Sequence, residues 1–414
     1  MALNVVDPIE SKLGLLAEAI GRVEVETVGV GASAGRILAQ EILNFRDSPA
    51  LDVSAMDGYA FCWDDIVESE SSGGPLRLEV RRVAAAGASL LRMERGEAIR
   101  IFTGGVVPEG ASVVIPREVC QEGPDEVQIS FPVKGLKEGW NIRRRGENAR
   151  LGSVALQRGV LIDGPRLSSI VSTIAQGSVE VYRKVRVRVL NTGDELLNVG
   201  EPIEPWQIRD SNGPFLEGML SRCGWVQWDR RTVRDDRSEV HEAVAQAMQE
   251  VDAVLITGGV SMGDTDHVPG AVSASGGKIL FHRLPIRPGA PILGATSQRG
   301  QLVMGLPGNP MSVAVTFRRF AWPLLRRLGG FALGGEWERG SAGVRGTLKV
   351  GDSKSLHLHW YRLVQLDSEG YLELVGHQGS GDVVALGRSD GFIEVPAGQA
   401  TEGAFRYFGW DSVA

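Results

Sequence analysis

Cysteine is scarce in this chain: Cys62, Cys120 and Cys223 are odd in number, widely spaced and form no C-x-x-C pair. That excludes a disulfide framework and a zinc ribbon, and it suits a reducing compartment. No apolar run approaches the roughly 20 residues that span a bilayer, and Met1 to Glu10 holds no basic segment followed by an apolar one. The chain therefore reads as cytoplasmic, with no membrane association. Basic runs are short and the net charge is −7, which argues against a nucleic-acid-binding stripe. The histidines lack ligand spacing too: His357-x-His359 has no third partner. No Ser-His-Asp arrangement is readable.

Glycine is plentiful, with 54 among 414 residues, which implies many turns and many short strands. The length exceeds one compact core and predicts roughly two to four domains. Three glycine-rich turns each follow a short apolar run: Thr192-Gly-Asp-Glu195 after Val185–Leu190, Thr257-Gly-Gly-Val-Ser-Met-Gly-Asp-Thr-Asp266 after Ala253–Ile256, and Leu306-Pro-Gly-Asn-Pro310 after Leu302–Met304. Short β-branched runs of this kind suit buried parallel strands. Glycine at a strand end can take positive φ and let backbone N–H groups approach a phosphate. Asp194, Glu195, Asp264 and Asp266 stand beside these turns, and Asp235 closes the strand Val226–Val233. Carboxylates alone would repel an anion, so their presence suggests a bridging Mg²⁺.

Between Val185 and Gly329 the pattern alternates strand and helix. Asp210-Ser-Asn212 starts a helix carrying Phe215, Met219, Leu220 and Cys223 on one face. Asp236-Arg-Ser-Glu239 has capping-box spacing ahead of a stripe from Val240 to Val251. Asn309 and Pro310 start a helix that runs to Leu328. This is a doubly wound α/β domain, and ligands in such sheets sit at the carboxyl ends of the strands. Earlier in the chain, Glu10–Ile20 and Ser33–Glu41 read as amphipathic helices, Tyr59–Val133 as a β-rich insertion, and Pro165–Ala175 as helical. After Gly330 the pattern is again β, in the form of a small barrel or sandwich.

Two further segments are ambiguous by themselves. Pro49–Ala60 reads equally as a tight loop before an edge strand, and the basic run in Asn141–Asn148 reads as a solvated face. Arg283 and Arg287 beside Pro288-Gly289 supply guanidinium forks suited to tetrahedral oxyanions, or simply surface charge.

Taken together, Ser54-Ala-Met-Asp-Gly-Tyr-Ala60, Thr103-Gly104 with Pro108-Glu-Gly110, Asn141–Glu147, Thr192-Gly-Asp-Glu-Leu196, Gly258-Gly-Val-Ser-Met-Gly263 with Asp266, and Leu306-Pro-Gly-Asn-Pro-Met-Ser312 resemble the molybdopterin molybdenumtransferase family. That family comprises the bacterial MoeA proteins, the plant molybdenum insertase domain and the gephyrin E domain. The resemblance covers nearly the whole chain.

It implies an α/β-plus-β, multidomain, elongated MoeA-like subunit with a central MogA-like doubly wound α/β domain, a β-rich insertion and a C-terminal small β-barrel. The implied domains are residues 1–46 with 146–183 for dimerisation, 47–145 for the insertion, 184–329 for the molybdopterin-binding α/β domain and 330–414 for the barrel. It further implies a homodimer, with the cleft between the α/β domain of one chain and the insertion of the other. The implied reaction takes adenylylated molybdopterin, inserts molybdate and releases AMP. The adenylyltransferase and acceptor molybdoenzymes are the further partners.

Asp235 and Asp266 would hold Mg²⁺. Glu195 would orient water or the cation, and Asp57 and Thr103 would come from the partner chain. Gly193, Asp194, Gly258, Gly259, Ser261 and Gly263, with Pro307, Gly308 and Asn309, would cradle the nucleotide. Arg287, Arg362 and Ser380 would receive the oxyanion.

This chain departs from the family pattern at three positions. Ala290 stands where a lysine of the oxyanion pocket is usual, Asn148 where an aspartate follows Arg-Arg-Arg-Gly-Glu, and Ser112 where an aspartate follows Pro-Glu-Gly-Ala. The loss of a positive charge at Ala290 keeps open a paralogue that handles tungstate or performs only the hydrolytic half. A non-catalytic scaffold dimer is a third reading, against which the converging acids argue.

Overall fold

Alternation along the first strand of the α/β region dictates a sheet covered on both faces. Strand β1 (Val185–Thr192) sends Val185, Val187 and Val189 to one apolar cluster and Leu190 to another. The computed structural model describes residues 8–197, 199–261, 266–332 and 344–411.

From β1 the chain continues through helix α1 (Asn212–Ser221), β2 (Val226–Val233), α2 (Arg237–Glu250), β3 (Ala253–Thr257) and α3 (Val268–Ala274). It then forms β4 (Lys278–His282), β5 (Leu293–Thr296), β6 (Leu302–Leu306) and α4 (Pro310–Thr316). The strand order is β2-β1-β3-β6-β5-β4. The first four strands are parallel, and β5 and β4 add an antiparallel edge. Leu216, Met219 and Leu220 of α1 cover one face, and Val240, Val244 and Ala247 of α2 cover the other. Asp236 caps α2 by accepting the N–H groups of Ser238 at 2.9 Å and Glu239 at 3.0 Å. Because β1 leads to β2 on one side while the chain returns to β3 on the other, the order reverses between β1 and β3. Their carboxyl ends, Thr192 and Thr257, therefore open a crevice.

Helix α4 does not run unbroken to Leu328. Phe317–Ala321 widens into a π-helical turn before Trp322–Leu328. Pro323 has no N–H to give to the Arg319 carbonyl and its ring would crowd that oxygen, so the turn expands to accommodate it.

The C-terminal strands His359–Leu366, Gly391–Val395, Ala404–Gly409 and Val344–Thr347 pair in that order, and Leu372–Leu374 pairs with the first. A bridge between Leu348 and Leu372 closes the ring into a small barrel. Leu348, Val364, Leu372, Ile393 and Phe405 fill it, while Tyr361, Leu363, Phe392 and Phe408 face outward into the core shared with α1 and α4. Arg319, 2% exposed, forms a buried ion pair here, with its Nε 3.2 Å from Glu394 and Nη2 2.6 Å from Glu10 of the helix Pro8–Ala19.

The segment Ser33–Glu41, expected to be helical, is not. Gly35 has φ +76° and ends any helical run, and Ile37–Leu38 forms a strand against Val181–Tyr182. The consecutive burial of Ile37, Leu38 and Ala39 suits a strand covered on both faces.

By contact the chain divides into two units: Met1–Gln40, Gln157–Ser168 and Gly177–Ala414 form one, and Glu41–Leu156 with Ser169–Gln176 the other. The second unit holds its own six-stranded sheet, in the order Val113–Pro116, Gly58–Phe61, Glu97–Ile101, Leu76–Ala84, Glu126–Ile129 and Gln121–Glu122. Phe61, Ile66 and Ile115 pack on one face, and Ile99, Ile101 and Val114 on the other. Within this unit Arg144 and Arg145 tie back to Asp52 and Asp47, at 2.7 and 2.6 Å, and Arg143 donates to Asn148 at 2.6 Å. The basic run thus anchors the base of the insertion. Ser112 accepts the Trp63 N–H at 2.9 Å and so caps the helix Trp63–Ser72. Among the described residues no helix is long and apolar enough to cross a membrane.

Candidate active site

At the switch point the backbone itself shapes the site. Gly258 ends β3 with φ +86°, and a Cβ there would lie 2.7 Å from both the carbonyl and hydroxyl oxygens of Thr192. Only glycine lets the β1 and β3 ends approach so closely. Gly193 follows β1 with φ +146°, and its missing Cβ leaves room for the Glu195 carboxylate, which a methyl would meet at 2.8 Å. Asn191 Nδ2 donates to Thr257 Oγ1 at 2.8 Å and pins the two strand ends together.

These ends floor a cavity of about 880 Å³ whose walls include Glu195, Asp235, Asp266, Gly258, Ser261 and Asn309. Gly193, Gly259, Pro307 and Gly308 line it as well. Asp194 stands at its edge, where Oδ1 accepts the Asp235 N–H at 3.2 Å. Burial, and then the like charges of Glu195, Asp194 and Asp266, raise the Asp235 carboxyl above its ordinary range, with His267 acting against them. Gly263, with Asp264, lies outside the described residues.

Like-charged carboxylates facing one cavity suit a hard cation. Among the described residues no three His, Cys, Asp or Glu side chains are close enough to hold a metal by themselves. Two acids plus phosphate oxygens and water match the habit of Mg²⁺, which keeps several non-protein ligands. The donor set therefore fits a cation that arrives with a phosphorylated substrate.

Two asparagines complete the walls. Asn309 sits at the start of α4, and its Nδ2 donates to Ser380 Oγ at 2.9 Å, while the Met311 N–H donates to the Ser380 carbonyl at 3.0 Å. The barrel loop is thereby fastened to the glycine turn. Asn212 Nδ2 donates to the Gly308 carbonyl at 2.7 Å. Sequence reading treats Asn212 only as part of a helix start, although an amide beside an apolar helix face was a visible signal.

Family models match in three stretches: the MoeA N-terminal region (domain I and II) over residues 7–173, the "Probable molybdopterin binding domain" over 188–327, and the MoeA C-terminal region (domain IV) over 351–404. The molybdopterin molybdenumtransferase of Nostoc sp. is 32% identical over 381 residues, covering 91% of this chain and 86% of the relative.

The chain belongs to the molybdopterin molybdenumtransferase family.

The Bacillus subtilis member of this transferase family is 35% identical over 306 residues, 73% of this chain and 70% of its own. Two crystal structures of the molybdopterin biosynthesis MoeA protein from Pyrococcus horikoshii, each 26% identical, superpose with TM-scores of 0.77 and 0.79. The first covers 98% of this chain and 99% of its own, and the second 97% and 98%. The family places the chain in molybdenum cofactor biosynthesis, and its architecture is that of the MoeA proteins.

The remaining expected residues lie elsewhere. In the second unit Asp57 Oδ1 accepts the Thr103 N–H at 2.8 Å and hydroxyl at 2.7 Å. Those bonds, with Arg100 and Arg117 nearby, hold the Asp57 carboxyl below its ordinary range. Arg287 is exposed and its strand pairs with Trp360. Arg362 stacks on Trp360, 4.2 Å from the ring centre, and its Nη1 is bound by both oxygens of Asp352 at 2.9 Å. Neither arginine lines the cavity. Ala290 has no charge to offer, its carbonyl accepts the Leu284 N–H at 2.9 Å, and the next residue, Pro291, lines the cavity wall.

Proposed function

We propose that this chain inserts molybdate into adenylylated molybdopterin with Mg²⁺-dependent release of AMP, acting as a cytoplasmic homodimer. The observation that supports this most is the meeting of Glu195, Asp235 and Asp266 with the glycine turns at Gly258 and Gly308 in one cavity. The turns offer backbone N–H groups to the nucleotide phosphate, where charge builds as the bond to the pterin phosphate breaks. Asp235 and Asp266 would hold Mg²⁺, which supplies positive charge against the phosphates and polarises the phosphorus–oxygen bond. Glu195, exposed beside the Gly193 turn, orients the attacking oxygen and accepts its proton. Asp57, kept ionised by Thr103, approaches with Thr103 from the second copy and positions the pterin side. Ser380, fastened to Asn309, would form the oxyanion side with Arg287 and Arg362, two arginines that stand outside this cavity. The adenylyltransferase that makes the substrate and the molybdoenzymes that accept the product are the partners of this reading.

Ala290 favours a second reading, a paralogue that handles another oxyanion or only hydrolyses the adenylylated pterin. A tetrahedral dianion binds less tightly where a lysine charge is absent. Equilibrium binding of molybdate and tungstate, with and without AMP and Mg²⁺, to the natural protein and to Ala290→Lys separates the two. Selective molybdate binding with AMP release by the natural protein supports the insertase. Binding only by the lysine variant supports the paralogue.

A further inference from the structure

The short strand Ile286–Arg287 runs parallel to the first barrel strand, His359–Leu366, with Arg287 opposite Trp360. Arg362 follows Trp360 by two residues, so strand alternation sets Arg287, Trp360 and Arg362 on one face. Buried Ile286 and Tyr361 occupy the other. Trp360 fixes the plane of the Arg362 guanidinium, which stacks 4.2 Å from the ring centre. Asp352 fixes its rotation, since both carboxylate oxygens accept from the one nitrogen Nη1 at 2.9 Å. Asp352 is itself held: its Oδ1 accepts the Lys354 N–H at 3.1 Å, and its own N–H donates to the Thr401 carbonyl at 2.9 Å.

This grip is one-sided. The Nε and Nη2 edge of Arg362 makes no hydrogen bond among the described residues, so it keeps parallel N–H donors for an oxyanion. The charge behind that edge, however, is already balanced by Asp352. Arg287 is exposed and makes no ion pair among the described residues, and Ala290, three residues on, adds no charge. Two guanidiniums and one carboxylate leave Arg287, Arg362 and Asp352 a single net positive charge. A dianion gives up far more hydration than a monoanion of the same size, and one positive charge does not offset the difference.

We propose that Asp352 sets the charge selectivity of the oxyanion side: it orients Arg362 while cancelling its charge, so that this chain takes a singly charged tetrahedral oxyanion in preference to a doubly charged one. This rests on the reading that Arg287 and Arg362 receive the oxyanion.

Perrhenate and molybdate are tetrahedral oxyanions of similar size that differ by one charge. Full-length natural protein, Asp352→Asn and Arg287→Gln are each dialysed to equilibrium against the two anions, and bound rhenium and molybdenum are measured by elemental analysis. The natural protein binds perrhenate more tightly than molybdate. Asp352→Asn keeps an acceptor on Nη1 and removes the charge, so it tightens perrhenate about 10-fold and molybdate about 100-fold. A full charge within about 4–6 Å is worth roughly one decade per unit of ligand charge. Tighter binding of molybdate by the natural protein, a comparison that needs no variant, overturns the inference. An equal change for the two anions in Asp352→Asn overturns it as well. Arg287→Gln separates the inference from the reading beneath it. If that variant weakens both anions while Asp352→Asn moves neither, the oxyanion side stands and the role of Asp352 falls. If it leaves both unchanged, or if neither anion binds the natural protein, both fall together.

Discussion

Replacing Glu394 by Gln tests the electrostatic joint between the N-terminal helix, the π-helical turn after α4 and the barrel. Burial alone would raise the Glu394 carboxyl, but the Arg319 charge, the His359 contact and Arg406 outweigh it and bring it from 4.5 to about 2. At about 1.4 kcal/mol per pH unit, that depression corresponds to about 3 kcal/mol of stability at neutral pH. Breaking a buried pair by removing one partner costs about 3–5 kcal/mol, since the Arg319 charge is left at 2% exposure with only the half-exposed Glu10. The two routes agree on about 3 kcal/mol. A depressed carboxyl stabilises the fold above its unfolded value and loses that contribution as pH falls toward its folded value. The difference between natural and variant protein is therefore full at pH 7, shrinks below pH 4.5 and vanishes near pH 2. Urea unfolding followed by the fluorescence of Trp225 and Trp322, both buried in this core, measures it. A difference under about 1 kcal/mol at pH 7, or one that stays constant from pH 7 to pH 3, would refute the reasoning.

Two further outcomes follow from the site. Gly258→Ala should cost about 2 kcal/mol or more, from left-handed strain plus the 2.7 Å contact with Thr192, and should abolish AMP binding; Gly276→Ala, with φ +80° and open space, should cost only about 1 kcal/mol by thermal denaturation. Because the Asp235 carboxyl is raised, protons compete with a cation there at higher pH than at an ordinary aspartate. Mg²⁺ affinity should therefore fall on acidification, and carboxyl NMR should show Mg²⁺ lowering the Asp235 titration; a pH-independent affinity would count against Asp235 as a ligand.

Local order was readable from residue types in a row. The runs Val185–Leu190, Ala253–Ile256 and Leu302–Met304 appear as adjacent parallel strands, and Asp236 caps the helix that its spacing indicated. The Ser33–Glu41 segment misleads because its apolar residues suit a helix stripe until Gly35 takes positive φ and Ile37–Leu38 finds a partner nearly 150 residues away. A proline also hides its effect until the helix is built, as Pro323 does with the turn at Phe317–Ala321.

By itself the sequence determined the parallel strands of the α/β sheet, the capped helix after Asp236 and the glycine turns, because backbone preference, capping and apolar periodicity act over a few residues. It also placed acids at three strand ends, which the reversal of strand order then had to face into one crevice. Tertiary structure alone decided the rest. Closure of the barrel by the Leu348–Leu372 bridge, the fastening of Asn309 to Ser380 and the hold of Asn212 on Gly308 all join residues distant in the chain. Such contacts carry no local signature, since which partner a side chain meets depends on how whole elements pack.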